Sequence, residues 1–152
     1  MGIFRSIGGG GDPDSFKEKG IITLTADAKL SSEDAQGAIV VVNHASAVTT
    51  IDLPAVASAV GFNFTLIMAQ ALTADCVIDA QANDKIRCFH FQTGDTAANI
   101  GAWSEGRYLT YDESRGSGGN GHIGDRIDVF CDGTYYHVLA MSQAHQMWLA
   151  AD

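Results

Sequence analysis

The chain has 152 residues, of which 46% are hydrophobic and 18% are charged, and this length and composition are typical of one folded domain and exclude wholesale disorder. Eighteen acidic residues against nine basic residues give a formal net charge of −9, which disfavours contact with a nucleic-acid backbone. No apolar run reaches the roughly 18 residues that span a bilayer, and the first residues lack an apolar core of signal-peptide length.

The first 20 residues differ in composition from the rest of the chain. They begin with a small apolar cluster formed by Ile3, Phe4 and Ile7, and four consecutive glycines follow. Because glycine adopts both signs of φ, this run predicts a flexible tether. The sequence thus divides into an arm with its tether at 1–20 and a single β domain at 21–152. The arm is either a frayed terminus or a segment that docks on a neighbouring protein.

Short runs rich in β-branched and aromatic residues predict strands from residue 21 onward. The run at 38–43 is apolar throughout and predicts a strand buried on both faces, whereas the run at 62–68 alternates and predicts one apolar face. Turn residues recur every ten or so positions, which predicts an all-β fold, either a β-sandwich or a jelly-roll-like antiparallel barrel. The predicted strands cover residues 21–25, 38–43, 49–53, 62–68, 76–79, 85–91, 107–111, 126–131 and 134–141.

The strongest local signal is the pair Asp132-Gly133 between two alternating runs. It predicts a β-hairpin with a type I′ turn, in which both central residues have positive φ. Helical signals are confined to one turn at 32–37, capped by Ser and closed by Gly, and a second at 54–61, which starts with Pro. No internal repeat of fixed period is present.

Three patterns resemble sites of reactive chemistry without the context that such sites need. The G-x-G-x-x-G match at 116–121 has no helix after it, so it predicts a surface loop. The five histidines show no metal-ligand spacing and are expected to be structural. Asp125, Asp128 and Asp132 recur around one strand, but Asp125 and Asp128 point to opposite faces, which disfavours a calcium site. We expect no catalytic residue, no metal and no cofactor.

The three cysteines are expected to be buried and reduced. Cys76, Cys88 and Cys131 all lie in apolar, strand-like runs. An odd number cannot form a closed set of intramolecular disulfides, so they are interpreted as small hydrophobic residues of a reducing compartment.

Three aromatic residues, Trp103, Tyr108 and Tyr111, lie before the glycine-rich loop. If they are exposed, they could stack on sugar rings. They could equally belong to the core or to a subunit interface, because aromatic residues dominate both.

Several short motifs occur in a characteristic order along the chain. Leu-Pro-Ala at 53–55 follows a short predicted strand, Gly-Phe-Asn-Phe-Thr at 61–65 opens the next, and Cys-Asp-Gly-Thr-Tyr-Tyr at 131–136 forms the predicted hairpin. This order resembles a β-rich module of virion surface proteins from tailed bacteriophages. The resemblance covers roughly residues 22–141.

The resemblance implies a structural role, since such modules occur in capsid decoration (cement) proteins and in head-fibre or tail-fibre segments, which are not enzymes. Fibre proteins carry the module within a much longer chain, whereas only a short arm precedes it here. The resemblance therefore favours a decoration protein that binds the outside of an assembled capsid and stabilises it, after assembly in the host cytoplasm. The alternative is a fibre module that binds host-surface glycans through Trp103, Tyr108 and Tyr111.

The partners implied by this resemblance are the major capsid protein and further copies of the same chain. We expect the arm residues Ile3, Phe4 and Ile7 to contact the capsid. By analogy with other decoration proteins a homotrimer is preferred, with a dimer as the alternative. No contact with nucleic acid or with a membrane is expected.

Overall fold

A computed structural model describes residues 20–81, 84–92, 99–111, 123–142 and 147–150 of the chain. These residues form twelve β-strands and one 3-10 turn at Val56–Ser58. The strands are β1 Ile21–Leu24, β2 Ala28–Lys29, β3 Ala38–Val42, β4 Thr50–Asp52, β5 Asn63–Met68, β6 Cys76–Asp79, β7 Lys85–Gln92, β8 Asn99–Gly106, β9 Tyr108–Tyr111, β10 Arg126–Cys131, β11 Tyr135–Ser142 and β12 Met147–Ala150.

The strands are arranged in two sheets. The first has seven strands in the order β1-β3-β5-β10-β11-β7-β8, and the second has five in the order β12-β9-β6-β4-β2. Buried residues of both sheets, among them Leu66 and Ile127 from the first and Ile51 and Ile78 from the second, form one hydrophobic core. The prediction of an all-β sandwich is thus confirmed.

The antiparallel part of that prediction is wrong for half of the strand pairings. Five pairs are parallel and five are antiparallel. From β1 to β7 the chain alternates between the sheets, so that β1, β3 and β5 are neighbours in one and β2, β4 and β6 in the other. Because each strand returns to its own sheet only after crossing to the opposite one, successive strands of a sheet run in the same direction.

Burial alternates along the strands as a two-sheet core requires. In β5, Phe64, Leu66 and Met68 are buried, which confirms the predicted apolar face of this run. In β3, Val40 and Val42 are buried but Ile39 is 41% exposed, so the prediction that this strand is buried on both faces is wrong. Only the inward face of the seven-stranded sheet packs on the other sheet, and β-branched residues also suit a strand position that is partly exposed.

The β10–β11 hairpin is confirmed, whereas its predicted type I′ turn is wrong. Cys131 pairs with Tyr136, and four residues connect them. The carboxylate of Asp132 accepts the backbone N–H groups of Thr134 and Tyr135, both at 2.7 Å, and only Gly133 has a positive φ in this connection. An aspartate side chain that bonds its own turn replaces the backbone geometry expected for a two-residue connection.

The two predicted helical segments each make a single turn. The carbonyl of Ser31 accepts the N–H of Ala35, and its hydroxyl accepts the N–H of Asp34. Residue Gly37, with a φ of +69°, then leads into β3. The second segment contains the 3-10 turn at Val56–Ser58.

The three cysteines are buried and free, as predicted. Burial raises the pKa of the Cys76 and Cys88 thiols to about 12. Burial also raises the pKa of Cys131. These thiols therefore react slowly with electrophiles at neutral pH, because the thiolate is the reactive form.

Replacement of Gly133 tests the geometry of the hairpin. Gly133→Ala is expected to lower the free energy of unfolding by about 1–2 kcal/mol, because an L-residue is strained at positive φ. The added Cβ would also lie 2.8 Å from Cγ2 of Val60, but Val60 is exposed and can rotate, so a Val60→Ala background should recover only a small part of the loss. Gly133→Asn should lose less than Gly133→Ala, since Asn adopts positive φ more readily. Equal losses of unfolding free energy for Gly133→Ala and Gly133→Asn, measured by urea unfolding, would contradict this account.

Candidate functional site on the seven-stranded sheet

The outer surface of the seven-stranded sheet carries a set of large apolar side chains. They lie at alternate positions of three neighbouring strands and are each between 37% and 48% exposed. A sheet face in contact with water normally presents polar residues at such positions. A contiguous exposed apolar patch of this kind marks an interaction surface. We call this set the sheet face; it consists of Phe89 and Phe91 in β7, Phe130 in β10, and Leu139 and Met141 in β11.

Strand register brings the members of the sheet face together. Leu139 lies opposite Phe89, and Met141 lies opposite Phe91, in the parallel β7–β11 pair. The rings of Phe89 and Phe91 meet edge to face with their centroids 4.9 Å apart, a favourable arrangement for aromatic pairs. These four residues thus form a packed patch, and Phe130 lies opposite His137 in the β10–β11 pair.

Further apolar residues continue the outer surface toward the other edge of the sheet. Ile21 in β1 pairs with Ile39 in β3, and both are exposed. Between these residues and the sheet face lies Asp128, which accepts a hydrogen bond from the Thr65 hydroxyl at 2.6 Å and pairs with Arg126 at 2.9 Å. This polar centre is internally compensated, so it adds little net charge to the surface.

A groove crosses the sheet face between β10, β11 and β7. Its volume is about 430 Å³, within the range of small-molecule and side-chain pockets. Its apolar lining includes Phe89, Phe130 and Leu139, and Arg87, Asp128 and His137 supply polar groups.

Arg87 lines the groove and contacts two neighbouring side chains. Its guanidinium lies 3.5 Å above the centre of the Tyr135 ring, and its Nη2 donates to the Glu105 carboxylate at 2.7 Å. This hydrogen bond raises the pKa of Arg87 and lowers the pKa of Glu105. A cation that is stacked and paired in this way presents a fixed edge to an incoming group.

His137 is oriented by the hairpin turn. Its Nε2 lies 2.7 Å from Oδ2 of Asp132, the same carboxylate that bonds the turn through Oδ1. These bonds lower the pKa of Asp132 to about 2. The bond with His137 is the largest cause, and the two bonds from backbone N–H groups are the next. The turn therefore connects the fold of the hairpin to the position of a groove side chain.

The aromatic residues singled out in the sequence do not form one surface. Trp103 lies in β8 of the seven-stranded sheet, in register with Cys88, and its side chain lies outside the described residues. Tyr108 and Tyr111 lie in β9 of the other sheet, where Tyr108 is half-buried with the Arg107 guanidinium 4.6 Å from the centre of its ring.

Tyr111 is a core residue and cannot contact a glycan. Its ring is 1% exposed and its hydroxyl donates to the buried Asp125 carboxylate. The prediction of a glycan contact at Tyr111 is wrong, because the alternation of β9 turns this side chain inward; the core alternative holds. The arm residues Ile3, Phe4 and Ile7 lie outside the described residues, and so does the glycine-rich loop at 116–121.

The structure also pairs a serine and a histidine that the sequence does not connect. Nε2 of His90 lies 2.7 Å from Oγ of Ser142, because β7 and β11 are neighbours in the sheet. Both residues are buried, and burial lowers the pKa of His90, which favours a neutral ring. A substrate has no access to this buried pair. The two side chains satisfy each other's hydrogen-bonding groups, in agreement with the structural role predicted for His90.

Metal clusters and membrane-spanning helices are both absent from the described part of the chain. It contains no cluster of three or more His, Cys, Asp or Glu side chains able to hold a metal ion. It also contains no helix of the length and apolarity needed to cross a membrane.

Comparison of the chain with protein-family models, with curated proteins and with solved structures gave no match.

Replacement of Asp132 tests the link between the turn and His137. Because the folded-state pKa of Asp132 lies below its ordinary value, the charged carboxylate stabilises the fold above pH 3.8, and this contribution disappears as the pH falls to about 2. The difference in free energy of unfolding between the unmodified chain and Asp132→Asn should narrow over that interval. In a His137→Gln background this difference in free energy of unfolding should change less with pH, because only the bonds from the backbone N–H groups to Asp132 remain. A difference independent of pH would contradict the assignment.

Proposed function

We propose that this protein is a capsid decoration protein, which attaches to the outside of an assembled bacteriophage shell and stabilises it. The observation that carries the proposal is the sheet face, an exposed apolar surface formed by aromatic and aliphatic side chains of three neighbouring strands. The motif order in the sequence supplies the class of partner, and the sheet face supplies the means of attachment.

The sheet face has the composition of a protein-binding surface. Interface centres are enriched in aromatic residues and Met, and a few well-packed aromatic side chains carry most of the binding free energy. Phe89, Phe91, Phe130 and Met141 match this description. The Arg126–Asp128 pair and the Arg87–Glu105 pair lie beside them as a polar border.

Attachment stabilises a shell without covalent chemistry. A protein that binds the assembled lattice, and not its separated subunits, lowers the free energy of the assembled state; at a free concentration of one hundred times Kd the gain is about 2.7 kcal/mol per site. The net charge of −9 suits the outer surface of a particle whose interior holds DNA, because it repels phosphate.

The proposed partners are the major capsid protein and further copies of this chain. A trimer is the preferred assembly and a dimer the alternative, since oligomers that sit on a symmetric lattice adopt closed symmetry. The arm residues Ile3, Phe4 and Ile7 are proposed as a second contact with the shell, in addition to the sheet face.

The groove favours a second candidate, a fibre module that binds host glycans. Phe130 offers an exposed ring on which a sugar could stack, with Arg87, Asp128 and His137 around it as hydrogen-bonding groups. This site differs from the one predicted from the sequence, in which Tyr111 is buried while the predictions for Trp103 and Tyr108 stay predictions. Glycan-array binding that is lost in Phe130→Thr would favour this candidate.

The number of copies in purified particles decides between the two. Quantitative mass spectrometry of virions should find this chain in a simple ratio to the major capsid protein, and electron microscopy should place it over the whole shell. A few copies confined to the tail or to fibres would favour the second candidate. Absence from purified particles would overturn both.

Removal of aromatic side chains from the sheet face should weaken attachment. Phe89→Thr/Phe91→Thr is expected to raise the Kd for assembled shells by at least about thirtyfold, since the loss of even one central aromatic residue of an interface costs about 2 kcal/mol. The measurement is co-sedimentation with shells of the major capsid protein from the same phage. The matched control is Ile123→Thr, which removes an exposed apolar residue that is not part of the sheet face. Equal affinities for the two variants would exclude the sheet face as the contact.

Deletion of residues 1–14 tests the arm. The β domain should remain folded, as judged by its thermal unfolding, while the occupancy on shells should fall because the contacts of Ile3, Phe4 and Ile7 are lost. Unchanged or increased occupancy would contradict a net contribution of the arm to attachment.

A further inference from the structure

The sheet face is an apolar surface that needs a cover in the free protein, because exposed patches of this kind promote self-association. We propose that residues 3–7 of the arm occupy the groove of their own molecule until a partner displaces them. This inference concerns the free protein and does not depend on the identity of the partner.

The apolar residues of the arm suit a groove of this size. Ile3, Phe4 and Ile7 follow the spacing i, i+1 and i+4, which places them on one side of a single helical turn. Short apolar helical segments bind in hydrophobic grooves in this manner. A segment this short is not stable as an isolated helix, so it would form its turn only on docking, with Phe4 as the aromatic anchor between Phe130 and Phe89.

Charge favours the arm over a second copy of the chain as the occupant. Arg5 is the only charged residue among the first eleven, whereas the whole chain has a net charge of −9. The arm segment is therefore attracted to the acidic body of the protein. Two copies of the chain, each with this negative charge, repel one another.

The tether has the length that docking within one molecule requires. The described residues begin at Gly20, next to β1, which is the edge strand of the same sheet. From β1 to β10 there are three strand spacings, about 14 Å, and from β1 to β7 there are five, about 24 Å. A glycine-rich chain of the length between Ile7 and Ile21 has a root-mean-square span of about 20 Å.

The root-mean-square length of the tether is close to the distance from β1 to the groove, so the docked form is substantially populated. The effective concentration of a tethered segment is highest when its root-mean-square length equals the span, and is then of the order of millimolar. A contact with an intrinsic Kd of about 1 mM would be formed about half of the time at such a concentration. Docking is thus strong enough to cover the face and weak enough for a partner to compete.

A spin label on the arm of the full chain tests the proposal. Ser6→Cys provides the attachment point and leaves the apolar cluster intact, while the native cysteines are buried and have raised pKa values. In methyl NMR spectra the label should remove most of the intensity of Leu139 and Met141. The methyl signals of Ile51 and Ile78, in the opposite sheet, should keep theirs.

Two matched variants separate docking from chance proximity. Phe130→Thr in the groove, or Phe4→Ser in the arm, should restore the signals of Leu139 and Met141. Ile123→Thr, which leaves the groove unchanged, should not. Full intensity in the labelled chain, or an equal loss in both sheets, would overturn the proposal.

A mixing experiment separates the chain's own arm from that of a second copy. Spin-labelled protein without isotopes is mixed with isotope-labelled protein that carries no spin label. Unchanged spectra support docking within one molecule, and a loss of intensity at Leu139 and Met141 would assign the occupant to another copy and overturn the proposal. These outcomes do not involve a shell, so they are independent of the copy-number measurement on virions.

Discussion

The antiparallel pairing of β10 with both of its neighbours is the interaction on which the rest of the structure depends. β10 joins β5, the last of three parallel strands, to β11, which is parallel to β7. Its inward side chains, Ile127, Val129 and Cys131, are buried in the core. Its outward side chains, Asp128 and Phe130, line the groove. One strand therefore holds the two halves of the sheet together and positions the candidate site.

Local features of the fold were predictable from the sequence, and the long-range ones were not. The Asp132-Gly133 pair correctly predicted the hairpin because the signal and the structure lie within four residues. The type of turn was missed because the Asp132 side chain bonds two backbone N–H groups. The parallel pairing of β7 with β11 joins residues about fifty positions apart, such as Lys85 and Tyr135, and no pattern within either strand specifies its partner.

The candidate site was missed for a related reason. The apolar run at 38–43 predicts a strand buried on both faces, whereas the structure leaves Ile39 exposed. No exposed apolar face is predicted for the runs at 85–91 and 134–141, in which Phe89, Phe91, Leu139 and Met141 occupy outward positions. The signal that could have identified the sheet face is a predicted strand with large apolar residues on both of its faces. Which of the two faces remains uncovered is decided by the packing of the second sheet, and that is a property of the whole fold.

The alternation of β1 to β7 between the sheets also has a kinetic consequence. The β10–β11 hairpin can close quickly because its connection is short, but each parallel pair needs an intervening strand of the opposite sheet in place before the chain returns. Loop closure of this kind has to precede the contacts that stabilise it, and topologies rich in distant pairings fold in milliseconds to seconds. During that time the outward phenylalanines and the unpaired strand edges are exposed together, so newly synthesised chains at high concentration face competition between folding and association.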